Sequence, residues 1–166
     1  MNQRETNANE LTSLHKFYLI AAIICTVNAA PFIGGLINSQ LYNFLYISAL
    51  VISVMLLIKQ SPANITKMPH VLAFIGSVLG IVTNLVSDAM ENAMLDFASD
   101  FIGMDYFSLV ENMTSGLFVF TPSQIDTLAV IMAMAGIGLI SWLLMVVASI
   151  LFFVNVSIIK KMAPTN

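Results

Sequence analysis

Four long runs of apolar residues constrain this chain more than any other feature of its sequence. Apolar residues make up 58% of the 166 residues and charged residues only 9%, whereas a soluble domain has about 45–50% and about 25%. Each run has roughly the 20 residues that a helix needs to cross the hydrocarbon core of a bilayer. We therefore predict an all-α integral membrane protein, a single four-helix transmembrane domain over 1–166, with spans at about 17–37, 41–58, 71–90 and 133–159.

The basic residues indicate how these helices are oriented. All six fall at the same end of the predicted helices: Arg4, Lys16, Lys59, Lys67, Lys160 and Lys161. The positive-inside rule assigns that side to the cytoplasm. We expect both termini to be cytoplasmic, with the protein in a bacterial inner (plasma) membrane. Val27 and Ala29 have the small-residue spacing of a signal-peptide cleavage site, but we expect the first span to be retained.

The third and fourth helical patterns are longer than a bilayer requires. From Val71 the third continues to about residue 104, and the fourth has a similar length. Each would reach about 50 Å at about 1.5 Å per residue, against a hydrocarbon core about 30 Å thick. We predict that helices 3 and 4 extend beyond the outer face as a helical hairpin, and that its acidic extension covers about 88–132.

The start of the last helix has a specific sequence signal. Thr121 supplies a capping hydroxyl, Pro122 fits the first helical position, and Gln124 supplies an amide at the third. This combination is typical of a capping box at a helix N-terminus. The sequence therefore predicts a helix that begins at Pro122.

Polar side chains recur at every fourth residue of the predicted extension: Asp88, Asn92, Asp96 and Asp100. One interpretation is a solvated or partner-facing side of an amphipathic helix. In a symmetric oligomer the same row would form the acidic mouth of a cation pathway. The stretch has no D-x-[DN]-x-[DN]-G run, so we predict no dedicated metal site.

Small residues mark places where helices approach closely. Gly76 and Gly80 form a G-x-x-x-G in the third span, a motif of close helix contacts within a chain or between copies. Ala129, Ala133 and Gly136 lie at the start of the fourth helix, where we expect them to contact the apolar side of the extension.

Three asparagines are the candidate polar residues within the spans: Asn28, Asn84 and Asn155. We expect them to form hydrogen bonds between helices, each worth about 1 kcal/mol. In a pore they would instead face the axis. Pro31 follows Asn28 closely and predicts a kink in the outer half of the first span.

The sequence contains no catalytic signature. HExxH, GxSxG, CxxC and P-loop motifs do not occur in the chain. His15 and His70 are predicted beside cytoplasmic helix starts, about a bilayer thickness from the outer carboxylates, so they cannot act together in acid–base chemistry. A net charge of −3 does not fit a nucleic-acid partner. We predict no enzyme, with no catalytic, cofactor-binding or metal-binding residues.

Two classes of function remain. The first is a non-enzymatic inner-membrane protein that acts by contact as a sensor, accessory or immunity subunit, for example in phage defence or bacteriocin immunity. Such a protein self-associates in the lipid bilayer and leaves its termini open to a cytoplasmic partner. The second is a small homo-oligomeric cation channel or holin-like pore with an acidic outer mouth. We favour the first, because it requires nothing that the sequence lacks.

Overall fold

The protein is helical over nearly all of the residues that its computed structural model describes, which are 3–30, 39–59, 62, 64–99, 111, 115 and 121–162. Four of its helices are long and apolar enough to cross a membrane. This confirms the all-α class and the predicted number of long apolar helices, and the described residues contain no strand. The helices are α1 (Gln3–Ala29), α2 (Ser39–Ile58), α3 (Met68–Leu85), α4 (Ser87–Ser99) and α5 (Pro122–Met162).

The four long helices form a ring in which each packs against two neighbours. α5 packs against both α3 and α1, and α2 closes the ring between α3 and α1. Neighbours are antiparallel, because contacts move up one helix as they move down the next. Phe17 and Asn28 of α1 meet Lys59, just after α2, and Leu45 of α2. Thr66, just before α3, and Thr83 of α3 lie at Asn155 and Gly138 of α5. One end of the bundle, the basic end, therefore carries Lys16, Lys59, Lys67, Lys160 and Lys161.

Helix α1 begins earlier in the chain than the apolar run does. Leu11, Leu14 and Tyr18 recur at helical spacing and pack into the core, which keeps the polar N-terminal segment helical. The part of α1 that is apolar enough to cross a membrane is Glu10–Ala29, nearer the N-terminus than the predicted 17–37. The helix ends two residues before Pro31, which has no N–H to continue it. The predicted kink at Pro31 falls within residues 31–38, which lie outside the described residues.

The predicted single helix from Val71 into the acidic segment is divided into α3 and α4 at Val86. Val86 has φ −102° and ψ 2°, outside ideal helical values. The Ser87 hydroxyl donates to the carbonyl of Asn84 at 2.8 Å, a local bond that competes with helical hydrogen bonding. The N–H of Met90 still donates to the carbonyl of Val86 at 2.9 Å, so α4 follows α3 without a loop, and α4 then contacts α5.

Helix α5 has 41 residues and is about 60 Å long at about 1.5 Å per residue. Its start confirms the predicted capping box. The N–H of Thr121 donates to Gln124 Oε1 at 2.9 Å, and the N–H of Gln124 donates to Thr121 Oγ1 at 3.3 Å. Two backbone N–H donors at the helix start are thereby satisfied without any tertiary contact.

We expect Thr121→Ala to destabilise the first turn of α5 by about 1 kcal/mol, because the lost hydroxyl leaves an N-terminal N–H without its acceptor. Hydrogen exchange at residues 124–126 should become faster, with no change near Met145. Thr127→Ala is the control, because the Thr127 hydroxyl only donates back to the carbonyl of Ser123. Equal exchange in both variants would contradict the capping role.

Candidate functional site

Two of the three predicted intramembrane asparagines join separate parts of the bundle. Asn28 is fully buried, and its Nδ2 donates to the carbonyls of Ile24 and Leu45 at 3.1 and 3.2 Å, which links α1 to α2. Asn155 is equally buried, and its Nδ2 donates to the carbonyl of Thr66 at 3.0 Å, which links α5 to the segment before α3. The side chains thus act as connections between helices.

Hydroxyl and indole groups add further bonds between helices. Ser141 Oγ donates to the carbonyl of Gly76 at 2.8 Å, and Trp142 Nε1 donates to the carbonyl of Ala29 at 2.7 Å. Thr26 Oγ1 and Ser149 Oγ lie 2.7 Å apart and share a hydrogen bond. Within a bilayer such bonds average about 0.6 kcal/mol and reach about 1.7 kcal/mol. Together they hold α5 against both α1 and α3.

The two glycines of the G-x-x-x-G are buried and face two different helices of the same chain. A Cβ at Gly76 would lie 3.2 Å from Leu144 Cβ of α5. A Cβ at Gly80 would overlap the ring of Tyr46 on α2, with Cδ1 at 2.7 Å and two further ring atoms closer still. Gly76 therefore permits a close approach of α3 to α5, and Gly80 permits a close approach of α3 to α2.

The small residues at the start of α5 lie elsewhere than expected. Ala129 and Ala133 are exposed, and a Cβ at Gly136 would meet no described atom within 4 Å. The inward face of α5 instead contains Ile131 and Gly138, which are seven residues apart and so share a face. A Cβ at Gly138 would lie 3.4 Å from Thr83 Cγ2 of α3, so α5 and α3 approach each other there.

The backbone of α4 carries the first three members of the acidic row. Asp88, Asn92 and Asp96 are four residues apart on this helix, and Asn92 is exposed. Asp100 lies outside the described residues. Among the side chains that the structure describes, no three His, Cys, Asp or Glu residues come together as a metal site would require.

An aromatic cluster of Tyr18, His70 and Phe152 fills the interior toward the basic end, and all three side chains have 0% exposure. The Tyr18 hydroxyl and His70 Nε2 share a hydrogen bond of 2.8 Å. The Phe152 ring lies 5.9 Å from that of Tyr18 and 5.2 Å from that of His70, measured between centroids. The cluster therefore joins α1, α3 and α5.

His70 is the third residue of α3, beside a helix start as predicted, and the structure buries its side chain completely. It shares one face of α3 with Ala73, Ser77 and Gly80, which are three, seven and ten residues further on and are all buried. This stripe of small residues at helical spacing was the available signal that the face is packed against other helices.

A cavity of about 450 Å³ lies between α2, α3 and α5, near the end of the bundle opposite the basic end. Tyr42 and Tyr46 pack edge to face in its wall, with ring centroids 5.1 Å apart. Asn84 also lines it, and Asn84 Nδ2 is buried without a hydrogen-bond partner among the described residues. The described residues that line it include no charged side chain and are Tyr42, Tyr46, Gly80, Thr83, Asn84, Ala135, Gly138, Leu139, Ser141 and Trp142.

Except for Gly80 and Asn84, the residues around this cavity were not predicted as a site. Tyr42 and Tyr46 are four residues apart on α2, which places both rings on one helical face, and this spacing was the signal in the sequence. Comparison with known protein families, curated proteins and solved structures finds no match for this chain.

Proposed function

We propose that this protein is a non-enzymatic protein of the bacterial inner membrane that acts by contact, as a sensor, accessory or immunity subunit. The observation that supports this most is that several buried donor groups of the long helices bond to other elements of the bundle. Asn28, Asn155 and Ser141 donate to carbonyls of other elements, and the interior beside them is filled by Phe152 and Met145. Ion conduction through a single chain would instead require polar groups that line a continuous water-filled path.

A pore between copies of the chain would require polar side chains on the outside of the bundle. The exposed residues of the spans are instead large and apolar, as lipid contact demands. Examples from all four long helices are Ile23, Ile47, Val51, Phe74, Val147 and Ile150. Conduction between copies is therefore less well supported than contact.

The contact surface that we propose is the outward hairpin formed by α4 and the start of α5. With the basic end in the cytoplasm, about 20 residues before Lys160 suffice to cross the hydrocarbon core. Ile125 and Met132 then lie beyond it, yet their side chains are 54% and 66% exposed, and Leu95 of α4 is 60% exposed. Apolar surface exposed outside the membrane is typical of an interaction site. A second copy of this chain is the partner that we favour.

Cation flux through liposomes that contain the purified protein separates contact from conduction. We expect these liposomes to be as tight as protein-free ones, because the donor groups of Asn28, Asn155 and Ser141 are directed to carbonyls inside the bundle and large apolar side chains fill the interior beside them. Asp96→Asn with Asp100→Asn should leave them equally tight. If the wild-type protein conducts and the double variant loses cation preference, the acidic row is a pore mouth and the contact proposal is wrong.

Photo-crosslinking tests the contact surface itself. A photoreactive residue in place of Leu95 should form an adduct of about twice the 18.1 kDa chain mass in intact membranes. The matched control is the same residue in place of Val147, which is 43% exposed in the middle of α5 and should react with lipid alone. A Leu95 variant that forms only lipid adducts would contradict self-association through the hairpin.

A further inference from the structure

The outer sides of α1 and α2 each carry an exposed apolar side chain one helical turn from a lysine. Ile20 lies four residues after Lys16 on α1 and is 46% exposed. Met55 lies four residues before Lys59 and is 51% exposed. The N–H of Lys59 donates to the carbonyl of Met55 at 3.0 Å, so helical geometry continues from α2 to the lysine. Residues four apart share a helical face, so both helices present apolar surface that ends in a cation.

The two lysines belong to the same edge of the bundle, where α1 meets α2. Lys59 Nζ lies 5.3 Å from the centroid of the Phe17 ring, within the range of a cation–π interaction. The lysine of α2 therefore reaches across to α1, at the residue that follows Lys16 in the chain. Both lysines are exposed.

Neither lysine has a carboxylate partner among the side chains that the structure describes. Glu10 is the nearest acidic residue of α1 whose side chain is described. It lies six residues before Lys16 and so points about 120° away from it around the helix. Helix α2 contains no acidic residue. The edge between α1 and α2 therefore carries two positive charges without a counter-charge from the described part of the chain.

A phospholipid has the matching order of chemical groups. The apolar part of α2, Leu41–Ile58, ends one residue before Lys59. In a bilayer that these helices cross, the lysine lies where the hydrocarbon core gives way to the lipid phosphates. Basic side chains between helices at this level bind anionic head groups. A net anionic head group supplies the missing counter-charge, whereas the choline of a zwitterionic one adds a further cation.

We propose that the edge between α1 and α2 binds one anionic phospholipid, whose phosphate contacts Lys16 and Lys59 and whose acyl chains pack along Ile20 and Met55. The phosphate is held by two helices together, which distinguishes this site from a general attraction of lipid to all basic residues. The site does not depend on the contact function or on the direction in which the protein is inserted, because lipid binding can be measured on the purified protein alone.

Native mass spectrometry of the full-length protein, released from detergent micelles, counts the lipids that stay bound. We expect phosphatidylglycerol to give a saturable first adduct at low salt, and phosphatidylcholine to bind more weakly. Lys59→Gln should weaken the first phosphatidylglycerol adduct about fivefold, the factor that corresponds to about 1 kcal/mol for one lysine at an anionic membrane surface. Lys16→Gln with Lys59→Gln should weaken it about 25-fold if the two contributions add.

Two further variants and a soluble head group serve as controls. Lys161→Gln removes the same charge at the same end of the bundle, but from α5, and should leave the first adduct unchanged. Lys59→Arg keeps the charge and should bind as the wild type does. Glycerol phosphate, which has the phosphate without acyl chains, should not displace the lipid at equal concentration. Helical circular dichroism equal to that of the wild type establishes that each variant is folded.

Three outcomes would overturn the proposal. Equal weakening by Lys161→Gln and Lys59→Gln would mean that lipid responds to the total charge of the basic end and not to a site between α1 and α2. Equal affinity for phosphatidylcholine and phosphatidylglycerol would mean that the head-group charge is not recognised. Displacement of the lipid by an equal concentration of glycerol phosphate would mean that the two lysines bind a soluble phosphate and that the apolar side chains take no part.

Discussion

Replacement of Phe152 by alanine is expected to lower the free energy of unfolding by about 3 kcal/mol. The Phe152 side chain has 0% exposure and contacts the rings of both Tyr18 and His70. Loss of a buried phenylalanine costs about 3–5 kcal/mol in protein cores. The lower end applies here, because helices that separate within a membrane transfer their apolar side chains to lipid and not to water.

Phe153→Ala is the matched control for this substitution. Phe153 is the next residue of α5 but is 44% exposed on the outside of the bundle, so its removal should change stability by less than about 0.5 kcal/mol. Both values can be measured by titration with a denaturing detergent, with Trp142 fluorescence as the signal. An equal loss in the two variants would mean that the aromatic cluster does not hold α1, α3 and α5 together.

Gly80→Val is expected to destabilise the bundle by about 2 kcal/mol. Its Cβ would overlap the Tyr46 ring, so α2 and α3 would have to separate or the ring would have to turn into the adjoining cavity. Substitutions that overpack a core cost about 1–3 kcal/mol. The same titration measures the loss, and faster hydrogen exchange at the start of α2 would locate it.

Gly136→Val controls for the intrinsic effect of valine in a helix. A Cβ there would meet no described atom within 4 Å, so only the small gain in helix propensity over glycine remains. A double variant tests the cause directly. Tyr46→Ala should recover most of the stability lost in Gly80→Val, because the two positions are in contact and their effects are then not additive. Additive losses would exclude the Tyr46 ring as the source of the strain.

The helical class and the number of long apolar helices could be predicted from the sequence, for a reason that is local. In a bilayer every backbone N–H and C=O must be paired, and a helix pairs them within its own segment. The length of an apolar run is then enough to predict a span. The same holds for the start of α5, where Thr121 and Gln124 satisfy each other across three residues.

Contacts between residues on different helices could not be predicted in this way. His70 contacts Tyr18, 52 residues earlier in the chain, and its complete burial follows from which helices enclose α3. Gly76 and Gly80 were recognised as a motif, but the sequence did not show that they meet α5 and α2 respectively. The three small residues of α5 were assigned to a contact that the rotation of this helix excludes, because its inward face passes through Ile131 and Gly138.

The cavity depends on tertiary structure most of all. Tyr42, Thr83 and Trp142 come from three helices, and nothing in the residues next to each of them indicates that the other two are near. The length of an apolar run, the residues that cap a helix and the positions of the basic residues are each properties of one segment. They can therefore be determined from the sequence before the fold is known. Which side chains enclose a space depends on how the helices rotate and pack against one another, and only the assembled bundle contains that information.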